Sequence, residues 1–411
     1  MRNFSCALLV LLFAGADAAA QDWTGWRGPS RDGTVPAAVV PAAWPAGVAR
    51  AWHVEVGEGY ASPVVAGGRA YLHSRSDPEE TVMAVELATG KVVWQQRYQA
   101  PFQKNQYAKD MAKGPNSTPL VSGSRLYTLG VTGVLSAWNL VDGSLAWRED
   151  YSASIDTSKM FCGTAMSPMI EGGSLIVQVG SDVHGGRVMA LDPATGKARW
   201  TWQGLGPGYA SPLAVTVQSV RQLITLTNGS IIGLNAATGA LLWSVPFPDE
   251  WHENIASPVW TGTHVVVSGT RQGTHAYALS RANEVWTATQ AWRNADVTMY
   301  TSSPVFADGR VYGLSSKRRG QLVALDAATG TLTWATQGRD GNHASFLLAP
   351  RHVMVLTDGG QLIVARRGVN TYQEEKRYEV GTSGTWSLPV LLPDGLLVRE
   401  AAGLTRLTWH P

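Results

Sequence analysis

Residues 190–200 read A-L-D-P-A-T-G-K-A-R-W. Ala190 and Leu191 end an alternating apolar run, Asp192 to Gly196 supply turn chemistry, and Lys197 to Trp200 open a new strand. The Asp carboxylate can accept from the backbone N–H groups that follow it, and Gly takes the positive φ such a turn needs. One hairpin alone says little. Its recurrence decides the fold.

The phrase returns at 84–94 (A-V-E-L-A-T-G-K-V-V-W), 137–147 (A-W-N-L-V-D-G-S-L-A-W), 233–243 (G-L-N-A-A-T-G-A-L-L-W) and 324–334 (A-L-D-A-A-T-G-T-L-T-W). A shortened copy, A-L-S-R-A-N-E-V-W, spans 278–286, and a degenerate one after Ala365 puts Tyr378 in the Trp position. Beyond most closing Trp residues, Ser-Pro or a variant opens an apolar strand. It is found at Ser62-Pro63, Thr118-Pro119, Ser167-Pro168, Ser211-Pro212, Ser257-Pro258, Ser303-Pro304 and Leu388-Pro389, and Ser345-Phe346 lacks the proline.

The first full unit, 62–98, holds P-V-V-A, R-A-Y-L-H-S, T-V-M-A-V-E and V-V-W-Q-Q, four short strands joined by turns. From Trp52 onward the closing aromatic recurs every 42 to 53 residues. Four strands per unit of ~40–50 residues is the signature of a propeller blade. The tail, 388–409, supplies only three strands, whereas the strand around Trp52 has none before it. Together they make one composite blade that closes the ring and removes its exposed edges. The expectation is an all-β, eight-bladed β-propeller of four-stranded antiparallel blades over 49–411.

Composition agrees with one large repeat domain. Hydrophobic residues are 45% and charged residues 16%, against a formal net charge of +2. That balance makes no electrostatic case for nucleic acid or an anionic membrane. Residues 1–20 read as an export leader, with Arg2, an apolar stretch from Cys6 to Ala14 and small residues at 18–20. The apolar stretch is too short to span a membrane. Once the leader is removed only Cys162 remains, so no disulfide is expected. Residues 21–48 are rich in Gly and Pro and are expected to pack as an irregular wrap outside the propeller through Trp23, Trp26 and Trp44.

The phrase A-x-D-x-x-T-G-K-x-x-W resembles the tryptophan-docking repeat of the quinoprotein-type (PQQ-like) β-propellers. The W-R-G-P-S-R-D-G run at 26–33 is similar to that of exported bacterial PQQ-like repeat proteins. The resemblance covers essentially the whole mature chain and implies a periplasmic or secreted protein. It implies two functional branches. Quinoprotein dehydrogenases hold PQQ and calcium near the axis, with an Asp base and a disulfide between adjacent cysteines. The eight-bladed outer-membrane-assembly lipoprotein binds protein partners and no cofactor. This chain has no adjacent cysteine pair, lacks the length dehydrogenases spend on insertions, and has no lipid-anchor cysteine.

In a propeller the residues just before each Ser-Pro-type strand converge on one axial mouth. Here they are Tyr60, Asn116, Met166, Tyr209, Asn254, Tyr300, His343 and Trp386. Such aromatics and amides can sandwich a flat ligand, a quinone or a sugar. Two long loops, 99–116 and 151–165, flank the mouth; the first carries Lys104, Lys109 and Lys113, and the second carries Cys162, the candidate reactive thiol. Asp249, Glu250, His252 and Glu253 cluster before one inner strand in a pattern hard enough for calcium, and Asp182 with His184 is a weaker pair. The inner-strand starts carry no Asp or Glu, which ranks a PQQ/calcium oxidoreductase of alcohols or sugars second. Ranked first is a monomeric binding scaffold that holds a cell-envelope protein partner or a small flat ligand, with no assigned cofactor or metal. A glycan-binding or glycan-cleaving propeller ranks third, and would need acids such as Asp110, Asp156 and Glu253 to converge.

Overall fold

The computed structural model describes residues 22–108, 112–156, 160, 162–382 and 384–411. The expected leader therefore lies outside the described residues. Eight four-stranded antiparallel sheets form an eight-bladed propeller. Seven blades follow the chain in order, at 64–99, 120–150, 169–204, 213–246, 259–294, 305–335 and 344–379. The eighth is composite. Gly47–Glu55 pairs antiparallel with Gly403–His410, in the register Gly47↔His410 to Glu55↔Gly403, and lies outside Gly395–Arg399 and Val390–Leu392.

Burial follows strand position. Arg69–Ser76 and Glu79–Glu86 are buried through their interiors, whereas Val92–Gln99 and Glu374–Glu379 alternate toward solvent. Inner strands pack on both faces between neighbouring blades, which explains their near-continuous β-branched and aliphatic runs. Outer strands face solvent and read as alternating.

The turn glycine of the repeat, after Thr or, at Gly143, after Asp142, joins five of the blades to the one before. Trp52, Trp94, Trp147, Trp200 and Trp292 lie so close over Gly90, Gly143, Gly196, Gly239 and Gly330 that a Cβ there would fall 2.3–2.9 Å from the ring. Their indole nitrogens donate across the interface to the carbonyls of Leu87, Leu140, Pro193, Ala236 and Ala327 at 3.0–3.3 Å. Glycine is thus required twice over, for positive φ and for the approach of the indole.

The seat is lost where the next blade lacks Thr-Gly or Asp-Gly. The fifth blade turns through Arg281–Glu284, so Trp243 in the fourth donates instead to Gln222 Oε1 at 2.7 Å. Trp334 packs on Tyr372 with its Nε1 unpartnered. The sequence phrase makes Trp286 the docking residue of the fifth blade, but the structure gives that place to Trp292. Trp286 instead packs inward with Trp243 and Tyr277. The hairpin Gly273–Ala282/Val285–Asn294 is the longest in the ring, and it carries the docking position further along its outer strand.

Arg399 latches the closure. It is 1% exposed, and its guanidinium donates to Ala61 O (2.6 Å), His73 O (2.8 Å) and Glu58 O (3.0 Å), all in or beside the first blade. Burial alone lowers its pKa to about 9.

The wrap does not simply lie outside. Residues 36–46 do pack on the rim, with Trp44 edge-on to His352 and Trp409. Residues 22–35 instead run along the inner-strand ends: Trp23 pairs with Val65, Thr24 O accepts from Val121 N, and Val35 N donates to Leu348 O. Arg31 donates to Pro168 O and Ser167 O, and Arg27 to Pro304 O, so the arm bridges the third and sixth blades across the axis. It closes one end of the channel.

Candidate functional site

The channel is therefore a cup of about 160 Å³ at the Ser-Pro end, floored by Trp26 and Arg27. Five residues expected at the mouth line it: Tyr60, Asn116, Tyr209, His343 and Trp386. Three do not. Met166 is 1% exposed and belongs to the core beside Leu120 and Leu175. Asn254 is fully buried and donates to Thr227 O and Phe247 O, which fixes a loop. The Tyr300 hydroxyl donates to Glu253. In their places stand Ala165, Ile255 and Thr301. The reason is strand alternation: a lining residue stands two before the Ser-Pro-type Ser or Thr, whereas Met166 stands one before it and Asn254 and Tyr300 three before it.

The aromatic side of the mouth is already stacked on itself. Trp386 lies between Tyr60 (centroids 5.0 Å) and His343 (4.6 Å, interplanar 5°). Both faces of Trp386 are covered, so this wall offers ring edges to the cup and cannot sandwich a flat ligand as the sequence suggested. His343 is held by Thr301 Oγ1 at Nδ1 and by Trp386 O at Nε2. Burial lowers its pKa to about 4, so it is neutral at pH 7. Tyr209 stands on the opposite blade.

Below the mouth lies a belt of hydroxyls. The backbone N–H groups of Leu388, Ser62, Thr118, Ser167, Ser211 and Ser257 donate to the side chains of Ser62, Thr118, Ser167, Ser211, Ser257 and Ser303 in turn, at 2.9–3.0 Å. Each link stitches a blade to its neighbour. The run breaks at the seventh and eighth blades, where Ser345 turns toward Trp386 O and Leu388 has no hydroxyl.

The two long loops meet over the mouth: Asn116 Nδ2 donates to Cys162 O, and Ala112 N donates to Tyr60 Oη. Burial, then Glu253, push the Cys162 thiol up to about 12, so it is protonated and inert at neutral pH. Lys113 pairs with Asp77, and Lys104 makes interactions of its own, whereas Lys109 and Asp110 lie outside the described residues. The acidic loop does not converge. Asp249 accepts from Trp251 N and Glu253 N, Glu250 pairs with Arg271, and His252 meets Asp182 Oδ2 at 2.5 Å. Asp182 is thus the partner of His252 and not of His184. Of the acids that a glycan-cleaving site would need, Glu253 is engaged by Tyr300, and burial holds its carboxyl above the ordinary range. Asp156 stands in the second long loop.

Among the described residues no Asp or Glu lines the cup, and its volume takes about one ring, since ~150 Å³ holds a benzene. Calcium needs hard anionic oxygens, and PQQ is tricyclic. The cup does not fit that pair.

Fold and site thus define a quinoprotein-type eight-bladed propeller whose axial cup is lined by no carboxylate among the described residues. The family model described as outer membrane protein assembly factor BamB matches residues 31–225 and 227–373, and the chain belongs to that family. BamB of Yersinia pestis is 23% identical over 69% of this chain and 72% of its own length. BamB of Moranella endobia is 26% identical over 70% and 73%. Among solved structures, BamB from Moraxella catarrhalis superposes with a TM-score of 0.62 at 15% identity, covering 88% of this chain and 97% of that one. Quinohemoprotein alcohol dehydrogenase from Comamonas testosteroni gives 0.67 at 14% identity, over 94% and 80%. These last two likenesses are of fold alone.

Proposed function

We infer that the protein is a periplasmic scaffold of the cell envelope that works in outer-membrane protein assembly, as its relatives are named to do, holding a protein partner on its mouth face as a monomer. The observation that carries the choice of face is a rigid apolar rim. Trp251, Leu205 and Val183 are 60%, 52% and 50% exposed, on three separate mouth-side loops. Asp182, beside Val183, pairs with His252, beside Trp251, and accepts from Asn228, whose backbone N–H donates to Gly206 O beside Leu205. Exposed aromatic and aliphatic anchors on a pre-ordered frame are what a partner interface needs. No helix among the described residues is long and apolar enough to cross a membrane.

The test is made in producing cells. A photo-crosslinker at 251 or 205 is expected to trap a defined envelope protein, while one at Val285, on the outer rim, traps none. Trp251→Glu with Leu205→Glu should lower the β-barrel content of the outer-membrane fraction as far as loss of the whole chain does. Unchanged barrel content in both strains would sink the reading. A second reading, that the cup itself holds a small ligand through Tyr60, Asn116, Tyr209, His343 and Trp386, is favoured by the two-layer lining and is taken further below.

A further inference from the structure

The floor of the cup carries one buried cation, Arg27, with Arg31 half-buried beside it, and no carboxylate among the described lining residues. Arg27 is 4% exposed, lines the cup, and among described residues donates to one carbonyl and forms no direct ion pair. Arg31 beside it donates only to carbonyls, and its Nε is unpartnered. Both guanidinium groups lie against Trp26, at 5.1 and 5.5 Å from its ring. Burial lowers Arg27 to about 10, partly offset by Asp32 on the same arm, and lowers Arg31 to about 9, with Arg27 itself the second cause. Both remain cationic at pH 7 and repel each other. Buried charge is costly without a counter-ion.

The belt above answers the same need. Each of its six hydroxyls already accepts a backbone N–H, which leaves the O–H proton as its free function. None of those six protons has an acceptor among the described residues. Six O–H donors around one axis, over a guanidinium, form a receptor for a small anion. Above the belt the walls are mixed and richer in rings and carbon: the edges of Tyr60, Trp386 and His343 on one side, Ala165, Tyr209 and Ile255 on the other, with Asn116 and Thr301 between them. Ring edges carry positive charge and favour the face of a further ring.

We propose that the axial cup binds a single-ring aromatic carboxylate, its carboxylate on the belt and Arg27 and its ring in the ring-walled layer above. With Asp32, which already acts on Arg27, a carboxylate in the cup would balance the charges of Arg27 and Arg31. This deepens the ligand reading of the cup, is independent of the partner reading of the rim, and is read on purified protein.

The experiment titrates the purified mature protein with phenylacetate, following Trp fluorescence and calorimetric heat, with benzyl alcohol and acetate as the neutral and ringless controls. Phenylacetate is expected to bind saturably and to quench emission, since Trp26 floors the site. Both controls are expected to bind at least about tenfold more weakly. Arg27→Gln should weaken phenylacetate binding on the order of tenfold or more. Because Arg27 also anchors the arm, Ser211→Ala with Ser257→Ala is the second variant; it leaves the arm in place and should weaken binding several-fold. No saturable phenylacetate binding by a cooperatively melting protein overturns the proposal, and the cup then holds water only. Acetate binding as tightly as phenylacetate also overturns it, as does binding undiminished in both variants.

Discussion

If the repeat's glycine is there to seat an indole, two glycines with the same backbone should respond differently to a methyl group. Gly330 and Gly173 both have φ +72°, yet a Cβ on Gly330 would lie 2.3 Å from the Trp292 ring, whereas one on Gly173 meets nothing within 4 Å. Alanine at either position pays the left-handed strain of about 1–2 kcal/mol. At Gly330 it must also displace Trp292, an overpacking cost of about 1–3 kcal/mol. Loss of the bond from Trp292 Nε1 to Ala327 O, 3.0 Å long, adds about 1 kcal/mol. Gly330→Ala should therefore lose about 2–4 kcal/mol more than Gly173→Ala in urea unfolding, with the shared strain cancelling. In a Trp292→Ala background the excess should largely vanish, because the two residues act as one contact. Equal losses for the two alanines, to within about 0.5 kcal/mol, would refute the docking argument.

Trp292→Phe should destabilise more than Trp286→Phe, since only Trp292 spends its indole nitrogen across a blade interface; equal melting shifts would return the docking role to Trp286. Arg399→Met should cost about 2–4 kcal/mol, because it leaves the carbonyls of Ala61, His73 and Glu58 without a charged donor, and urea midpoints at fixed m-value read it. His343 folds neutral with its pKa lowered from 6.5 to about 4 by burial, so its contribution is complete above pH 6.5 and is lost progressively as the pH falls to about 4. That loss is about 3 kcal/mol, and His343→Gln should flatten the acid limb of stability across that window; an unchanged limb would show that other groups set it.

The ring was legible because its signal repeats. Blade number, order and closure all follow from the spacing of one phrase and one incomplete unit at each end, and the pairing of Gly47–Glu55 with Gly403–His410 agrees. Where the reading erred, the cause is strand physics. Met166, Asn254 and Tyr300 stand just before their Ser-Pro-type strands but off the two-residue alternation that Tyr60-Ala61-Ser62 and Tyr209-Ala210-Ser211 display, and an odd offset turns a side chain to the other face. The docking role of Trp292 was also recoverable. A hairpin extended past Trp286 moves the seat, and Gly330 was already visible in the next phrase. The axial arm was not recoverable, because residues 22–35 have neither period and their contacts reach 137 and 277 residues away.

That division bears on where the activity resides. The repeated residues, Trp and Thr-Gly, are consumed in holding blades together, and none of the docking indoles lines the cup or belongs to the exposed mouth rim. What could act on a partner or ligand lies in the departures from the repeat: Arg27 on an arm outside it, Trp386 in the blade whose Ser becomes Leu388, and Trp251, Leu205 and Val183 on loops that the phrase does not specify. The break in the hydroxyl belt falls at the seventh and eighth blades, beside His343 and Trp386. Where the stitching is given up, the stacked wall takes its place. A regular ring would have eight equivalent positions and no direction. This asymmetry gives the cup a hydroxyl layer over Arg27, a mixed layer above it and one aromatic side, so a bound group would have a single orientation.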